Sequence, residues 1–133
     1  MIAQIVDDEF DLVNIIKLYL QGIGLNAFGF TDPLLALEHF RINWKDYALV
    51  ISDIRMPGMN GFEFVRKIRE INPVAKVLLM SAFEINNSAE LTSGLGGGAE
   101  VQGFIQKPIA LDQLGSVIRK QLQTEVFAAR LLS

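Results

Sequence analysis

Short apolar runs recur along the chain, and four of them close on a residue with chemical potential. Ile2-Ala3-Gln4-Ile5-Val6 precedes Asp7-Asp8, and Ala48-Leu49-Val50-Ile51-Ser52 precedes Asp53. Val77-Leu78-Leu79-Met80 precedes Ser81, and Gly103-Phe104-Ile105-Gln106 precedes Lys107-Pro108. A further run, Leu25 to Phe30, lies between the first two. Runs of this length beside turn formers read as buried strands. Between them the apolar period changes to that of a helix. Leu12, Ile16 and Leu20, flanked by Val13 and Tyr19, form one face that Gly22 and Gly24 end. Asp32 stands at an N-cap with Pro33 in the first helical position, and Leu34, Leu37 and Phe40 line the second helix. Asn60 and Glu63 have capping-box spacing before Phe64, Ile68 and Ile71, and Asn72-Pro73 stops that helix. A weaker helix is expected over 84–95, rich in Asn and Ser. A last one carries Leu111, Leu114, Ile118 and Leu122.

Strict alternation of strand and helix, with strands apolar throughout, predicts a parallel sheet covered on both faces. Right-handed crossovers leave few arrangements. The expected one is α/β, a flavodoxin-like (βα)5 doubly wound sheet in strand order 2-1-3-4-5, with Asp7-Asp8 next to Asp53 at the switch point. Groups at the carboxyl ends of such strands share one crevice. Asp7, Asp8, Asp53, Ser81 and Lys107 are therefore expected to meet. Three carboxylates and one ammonium leave a negative balance that Mg²⁺, or Mn²⁺, would cancel. With the cation bound, one carboxylate stays ionised as a nucleophile toward phosphorus. Lys107 and the Ser81 hydroxyl would then engage phosphoryl oxygens.

Composition narrows the class. The 133 residues are half apolar, 20% charged and carry a net charge of −3, as expected for a single globular domain. No basic cluster suggests nucleic-acid or membrane-surface binding, and the chain has no cysteine for disulfides or thiolate metal sites. No signal-peptide pattern and no bilayer-length apolar stretch is seen, so a cytoplasmic location is expected.

Taken together, Asp-Asp, Asp-x-x-Met-Pro-Gly-Met-Asn-Gly, Ser-Ala and aromatic-x-x-Lys-Pro resemble the receiver domain of two-component response regulators, over Ile2 to about Leu122. The resemblance implies a domain over 1–122 that takes a phosphoryl group onto Asp53 from a sensor histidine kinase or phosphotransfer protein. Asp8, Asp53 and the backbone carbonyl of Arg55 would hold Mg²⁺, with Asp7 acting through a metal-bound water. Ser81 and Lys107 would engage the phosphoryl group, and Phe104 would be the switch aromatic. It implies no enzyme activity beyond the domain's own phosphorylation and autodephosphorylation. Arg55 and Phe83 occupy positions that tune phosphoryl lifetime in this family, where bulk is expected to hinder water. Output would pass through the face of the fourth predicted helix, fifth strand and fifth helix, to a downstream protein, a fused effector domain or a second copy.

Other readings carry less. An aspartyl phosphatase needs an acid two residues after its nucleophile, where Arg55 stands, and a flavin-binding flavodoxin needs a Ser/Thr-Gly loop where Asp7-Asp8 stand. Single residues have plainer readings: an acidic pair can be a capping turn, His39 a surface residue, and Trp44 with Tyr47 packing before the third strand. Gly94-Leu95-Gly96-Gly97-Gly98 follows a helical pattern rather than opening one, and no Walker-type Lys-Ser/Thr accompanies it. These glycines each disfavour helix by about 1 kcal/mol relative to Ala, so a short fourth helix and a mobile loop are expected. Apolar spacing continues through Val126 and Ala129, making 123–133 a helix extension or the start of a linker.

Overall fold

The computed structural model describes residues 1–82, 94 and 96–122. Five parallel strands, β1 (Ile2–Val6), β2 (Asn26–Phe30), β3 (Tyr47–Asp53), β4 (Val77–Ser81) and β5 (Gly103–Gln106), form one sheet in the order β2-β1-β3-β4-β5. The helices are α1 (Phe10–Gly22), α2 (Pro33–Asn43), α3 (Gly61–Ile71) and α4 (Leu111–Leu122), the last being the fifth in the order expected from the sequence. Gly94 is helical, but the rest of the helix expected over 84–95, together with Phe83 and 123–133, lies outside the described residues.

Alternation along the strands builds two cores. Ala3, Ile5, Leu49, Ile51, Leu78 and Met80 face α1 and α4, where Ile16, Leu20, Leu114 and Ile118 meet them. Val6, Val50, Val77 and Leu79 face α2 and α3, against Phe40, Phe64, Val65 and Ile68. A fully buried side chain of this size contributes about 1.5–3 kcal/mol. Both covers are needed because the central strands are closed to solvent on both faces.

The caps match the polar pattern. Asp32 Oδ1 accepts from Leu34 N–H at 2.9 Å with Pro33 at the start of α2. Asn60 Oδ1 accepts from Glu63 N–H at 2.9 Å, and Asn60 Nδ2 donates to Glu63 Oε1 at 3.2 Å. One helical face is corrected. Leu34 is 62% exposed, and α2 buries Pro33, Ala36, Leu37 and Phe40 instead. At about 100° per residue, Leu34 sits about 110° from the centre of that arc.

His39 is also drawn further in than a surface residue. Its ring packs against Phe28, Phe30 and Tyr47, and Nδ1 lies 2.5 Å from Tyr47 Oη. The buried Gln4 amide donates to Tyr47 Oη at 3.1 Å and to the Ala36 carbonyl at 2.9 Å, tying β1 to α2 and β3. Tyr47, stacked on Phe40, is pushed up to about 12 by burial, against the opposing Gln4 hydrogen bond.

Arginines of α3 hold the segment before β5. Arg66 donates to the Gly94 carbonyl, and Arg69 to the carbonyls of Glu100, Pro73 and Ala75. Gly96, Gly97 and Gly98 all have positive φ, a conformation that explains why glycine occupies them.

Candidate functional site

Because β1, β3, β4 and β5 run parallel and end at similar depth, their last residues open into one crevice. It measures about 350 Å³ and is lined by Asp8, Glu9, Asp53, Ile54, Arg55, Ser81, Ala82 and Lys107. Asp7 lies beneath it, fully buried, Asp53 is 6% exposed, and Asp8 faces solvent. The carboxylate oxygens of Asp7, Asp8 and Asp53 all lie within 4.8 Å of one another.

Lys107 is the cation aimed at this cluster. Its Nζ is 2.8 Å from Asp7 Oδ2, 3.2 Å from Asp53 Oδ2 and 3.8 Å from Glu9 Oε1. The backbone fixes the remaining lone pairs, with Glu9 N–H donating to Asp7 Oδ1 at 2.9 Å and Ile54 N–H to Asp53 Oδ1 at 3.0 Å. Lys107 N–H donates to the Ser81 carbonyl at 2.7 Å, and both residues line the crevice. The Gln106 amide donates to the same carbonyl at 3.2 Å.

The electrostatics follow from crowding. Burial raises the Asp7 carboxyl above its usual range despite the nearby Lys107. Burial, joined by the Asp7 charge, raises Asp53 as well. Burial works to lower Lys107, but Asp7 and Asp53 outweigh it and the ammonium is held upward. Lys107 alone therefore under-compensates the cluster. A hard divalent cation suits the donor set, since it takes a few carboxylate oxygens and keeps exchangeable waters.

The loop between β3 and α3 is held by a close backbone approach together with side-chain bonds, among them Ser52 Oγ to Met56 Sδ at 3.8 Å. Gly61 N–H donates to the Ile54 carbonyl at 2.7 Å. A Cβ at Gly61 would lie 2.5 Å from the Asp53 carbonyl oxygen and 2.8 Å from Ile54 Cα, so only glycine permits this closure. Arg55 rides on that loop with an exposed side chain. Within β3, the Ser52 hydroxyl donates to the Asp53 carbonyl at 2.9 Å.

All five strand-end residues named from the sequence, and Arg55, are brought to this crevice or directly under it. Phe104 is not part of it. It is partly buried against the α2–α3 core. Sequence reasoning passed over Glu9, although it directly follows the acidic pair, and it quoted Gly61 within the Asp-x-x-Met-Pro-Gly-Met-Asn-Gly pattern without its steric role, which depends on backbone seven and eight residues earlier in the chain.

Comparison with known proteins gives one consistent picture. The family model for the response regulator receiver domain matches residues 3–119. The transcriptional regulatory protein ZraR of Klebsiella oxytoca is 31% identical over 118 residues, covering 89% of this chain and 25% of ZraR. The autoinducer 1 sensor kinase/phosphatase LuxN of Vibrio harveyi is 28% identical, covering 86% of this chain and 13% of LuxN. The chain thus spans a quarter or less of the length of these curated relatives. The response regulator protein TrrA of Thermotoga maritima, solved in complex with Mg(2+)-BeF, is 30% identical with a TM-score of 0.76, covering 92% of this chain and all of TrrA.

Proposed function

The chain belongs to the response regulator receiver domain family, a phosphoacceptor module of two-component signalling, and we propose that Asp53 is its phosphoacceptor. The observation that carries this is the convergence of Asp53 with Asp7, Asp8 and Lys107, under-compensated in charge and open to solvent on one side. Asp8, Asp53 and the Arg55 carbonyl would hold Mg²⁺, with Asp7 reached through a metal-bound water, and the Mg(2+)-BeF complex of TrrA supports that choice of ion. Bound there, the cation neutralises charge that develops on the transferring phosphoryl oxygens.

The chain's own residues do the rest. The Ile54 N–H holds Asp53 Oδ1, leaving Oδ2 toward the crevice and Lys107. Oδ2 attacks phosphorus in line, the O–P bond forms as the P–N bond to a donor histidine breaks, and the electron pair returns to the imidazole nitrogen. Lys107 then follows the phosphoryl charge, turning from its contacts with Asp7 and Asp53. The Ser81 hydroxyl donates to a phosphoryl oxygen. Phe104 turns inward as the output switch, a population shift driven only by contacts that differ between the two states. A sensor histidine kinase or phosphotransfer protein is the donor, and a downstream protein, a fused effector or a second copy receives the signal. Beyond its own phosphorylation and dephosphorylation the domain turns over no substrate, and it works in the cytoplasm. No helix among the described residues is long and apolar enough to cross a membrane.

The test is incubation with Mg²⁺ and acetyl phosphate, read by intact mass. One phosphoryl group is expected on the native chain and none on Asp53→Asn. Labelling that persists in Asp53→Asn refutes the assignment, and steady phosphate release from unrelated monoesters favours an aspartyl phosphatase instead.

A further inference from the structure

Glu9 is the acidic residue of the crevice that phosphoryl transfer leaves without a role. Its backbone is engaged: the N–H donates to Asp7 and the carbonyl accepts from Val13 N–H at the start of α1. Its side chain makes no capping bond to that helix. The carboxylate instead stands at the mouth of the crevice, 68% exposed, with Oε1 3.8 Å from Lys107 Nζ. Beside it, the charges of buried Asp7 and Asp53 and exposed Asp8 would be balanced by Lys107 and one divalent cation. Glu9 and Arg55, opposite in sign, both line the mouth. Glu9 repels an incoming anion and also draws on the ammonium that the phosphoryl group must recruit. Both effects grow with the charge of the donor.

We propose that Glu9 is a specificity-determining residue for phosphoryl transfer, disfavouring small, doubly charged phosphodonors. A protein donor docks over an area large enough to outweigh one rim charge, whereas a small acyl phosphate has little else to bind with. Glu9 thereby insulates the acceptor from free acyl phosphates. The inference rests on Asp53 as acceptor, and the experiment separates the two.

Initial labelling rates are measured for the native chain, Glu9→Gln and Glu9→Lys at saturating Mg²⁺, whose affinity for each variant is set by calorimetry. The two donors are acetyl phosphate, doubly charged near neutral pH, and phosphoramidate, singly charged. In each case an O–P bond forms at Asp53, and acetate or ammonia leaves with the electron pair. Glu9→Gln is expected to raise the acetyl phosphate rate about threefold or more at low ionic strength, with a smaller gain for phosphoramidate and a larger one in Glu9→Lys. The gain should shrink in about 0.5 M salt, where screening acts over only a few ångströms. Equal acceleration with both donors, no acceleration, or a gain explained by altered Mg²⁺ occupancy overturns the proposal. Labelling of Asp53→Asn by either donor overturns the acceptor assignment instead.

Discussion

Replacing Gly61 with Ala tests whether the loop after β3 is a spacer or a precisely seated part of the site. The added Cβ would lie 2.5 Å from the Asp53 carbonyl oxygen and 2.8 Å from Ile54 Cα, both backbone atoms. Cβ contacts essentially never fall below 3.0 Å, so the loop or α3 must retreat by about 0.5 Å. Neither side yields readily, because Asn60 caps α3 and Phe62, Phe64 and Val65 are buried. Overpacking of this kind costs about 1–3 kcal/mol, and stretching the 2.7 Å bond from Gly61 N–H to Ile54 adds about 1 kcal/mol. Urea denaturation should show a loss of about 2–4 kcal/mol, and the midpoint on heating should fall by about 6–15 °C in a domain of this size. Mg²⁺ tolerates ligand displacements of about 0.2 Å, so calorimetry should show affinity reduced about 10- to 100-fold. Gly58→Ala is the control, since φ is +84° there and nothing lies within 4 Å. It should cost about 1 kcal/mol of backbone strain and leave Mg²⁺ affinity nearly unchanged. A Gly61→Ala protein matching the native one within about 0.5 kcal/mol, with native Mg²⁺ affinity, would refute the steric argument.

Two further outcomes are expected. In EDTA, acidification from neutral pH should stabilise the chain. Asp7 and Asp53 have folded values raised above 3.8, so the folded state binds protons more readily than the unfolded one. Stability should rise as pH falls through those raised values and level off near 3.8; saturating Mg²⁺ should reverse the slope, and a metal-free protein less stable at pH 5 than at pH 7 in urea titrations would contradict the charge accounting. Tyr47→Phe should destabilise by about 1–2 kcal/mol, since it removes the hydroxyl that Gln4 donates to and that His39 faces. If Gln4→Leu, Tyr47→Phe and the double variant show additive losses, Gln4 and Tyr47 do not act as one network.

The sheet was legible because four of its five strands announce themselves twice, by an apolar run and by the chemistry at its end, and β2 by its run alone. Strand order came from topology rules, and with it the meeting of Asp7 and Asp53. The caps at Asp32 and Asn60 were legible for a similar reason, since they rest on residues two or three positions apart. Leu34 was misplaced because a three-residue spacing fits several faces of a short helix, and only packing against β1 and β3 selects among them. His39 was read as a surface residue because its ring partners, Phe28, Phe30 and Tyr47, come from β2 and β3, which no local period reveals. Glu9 was hidden by its neighbours, being one more acid in an acidic turn until Lys107 gave it a direction. The expectations for 84–93, for Phe83 and for 123–133 fall outside the described residues.

Helix α3 begins where Gly61 presses on Asp53 and ends where Arg69 grips the carbonyls of Glu100 and Ala75. Eleven residues make a stiff rod about 16 Å long. Pivoting where it is seated at the Asp53 end, a rod of this length converts a tilt of a few degrees into about 1 Å of travel at the other end. Its middle is bonded through Arg66 to the Gly94 carbonyl and its far end through Arg69 to the Glu100 carbonyl. A tilt of α3 should therefore carry Gly94 and Glu100 with it, on the face of the sheet opposite α1.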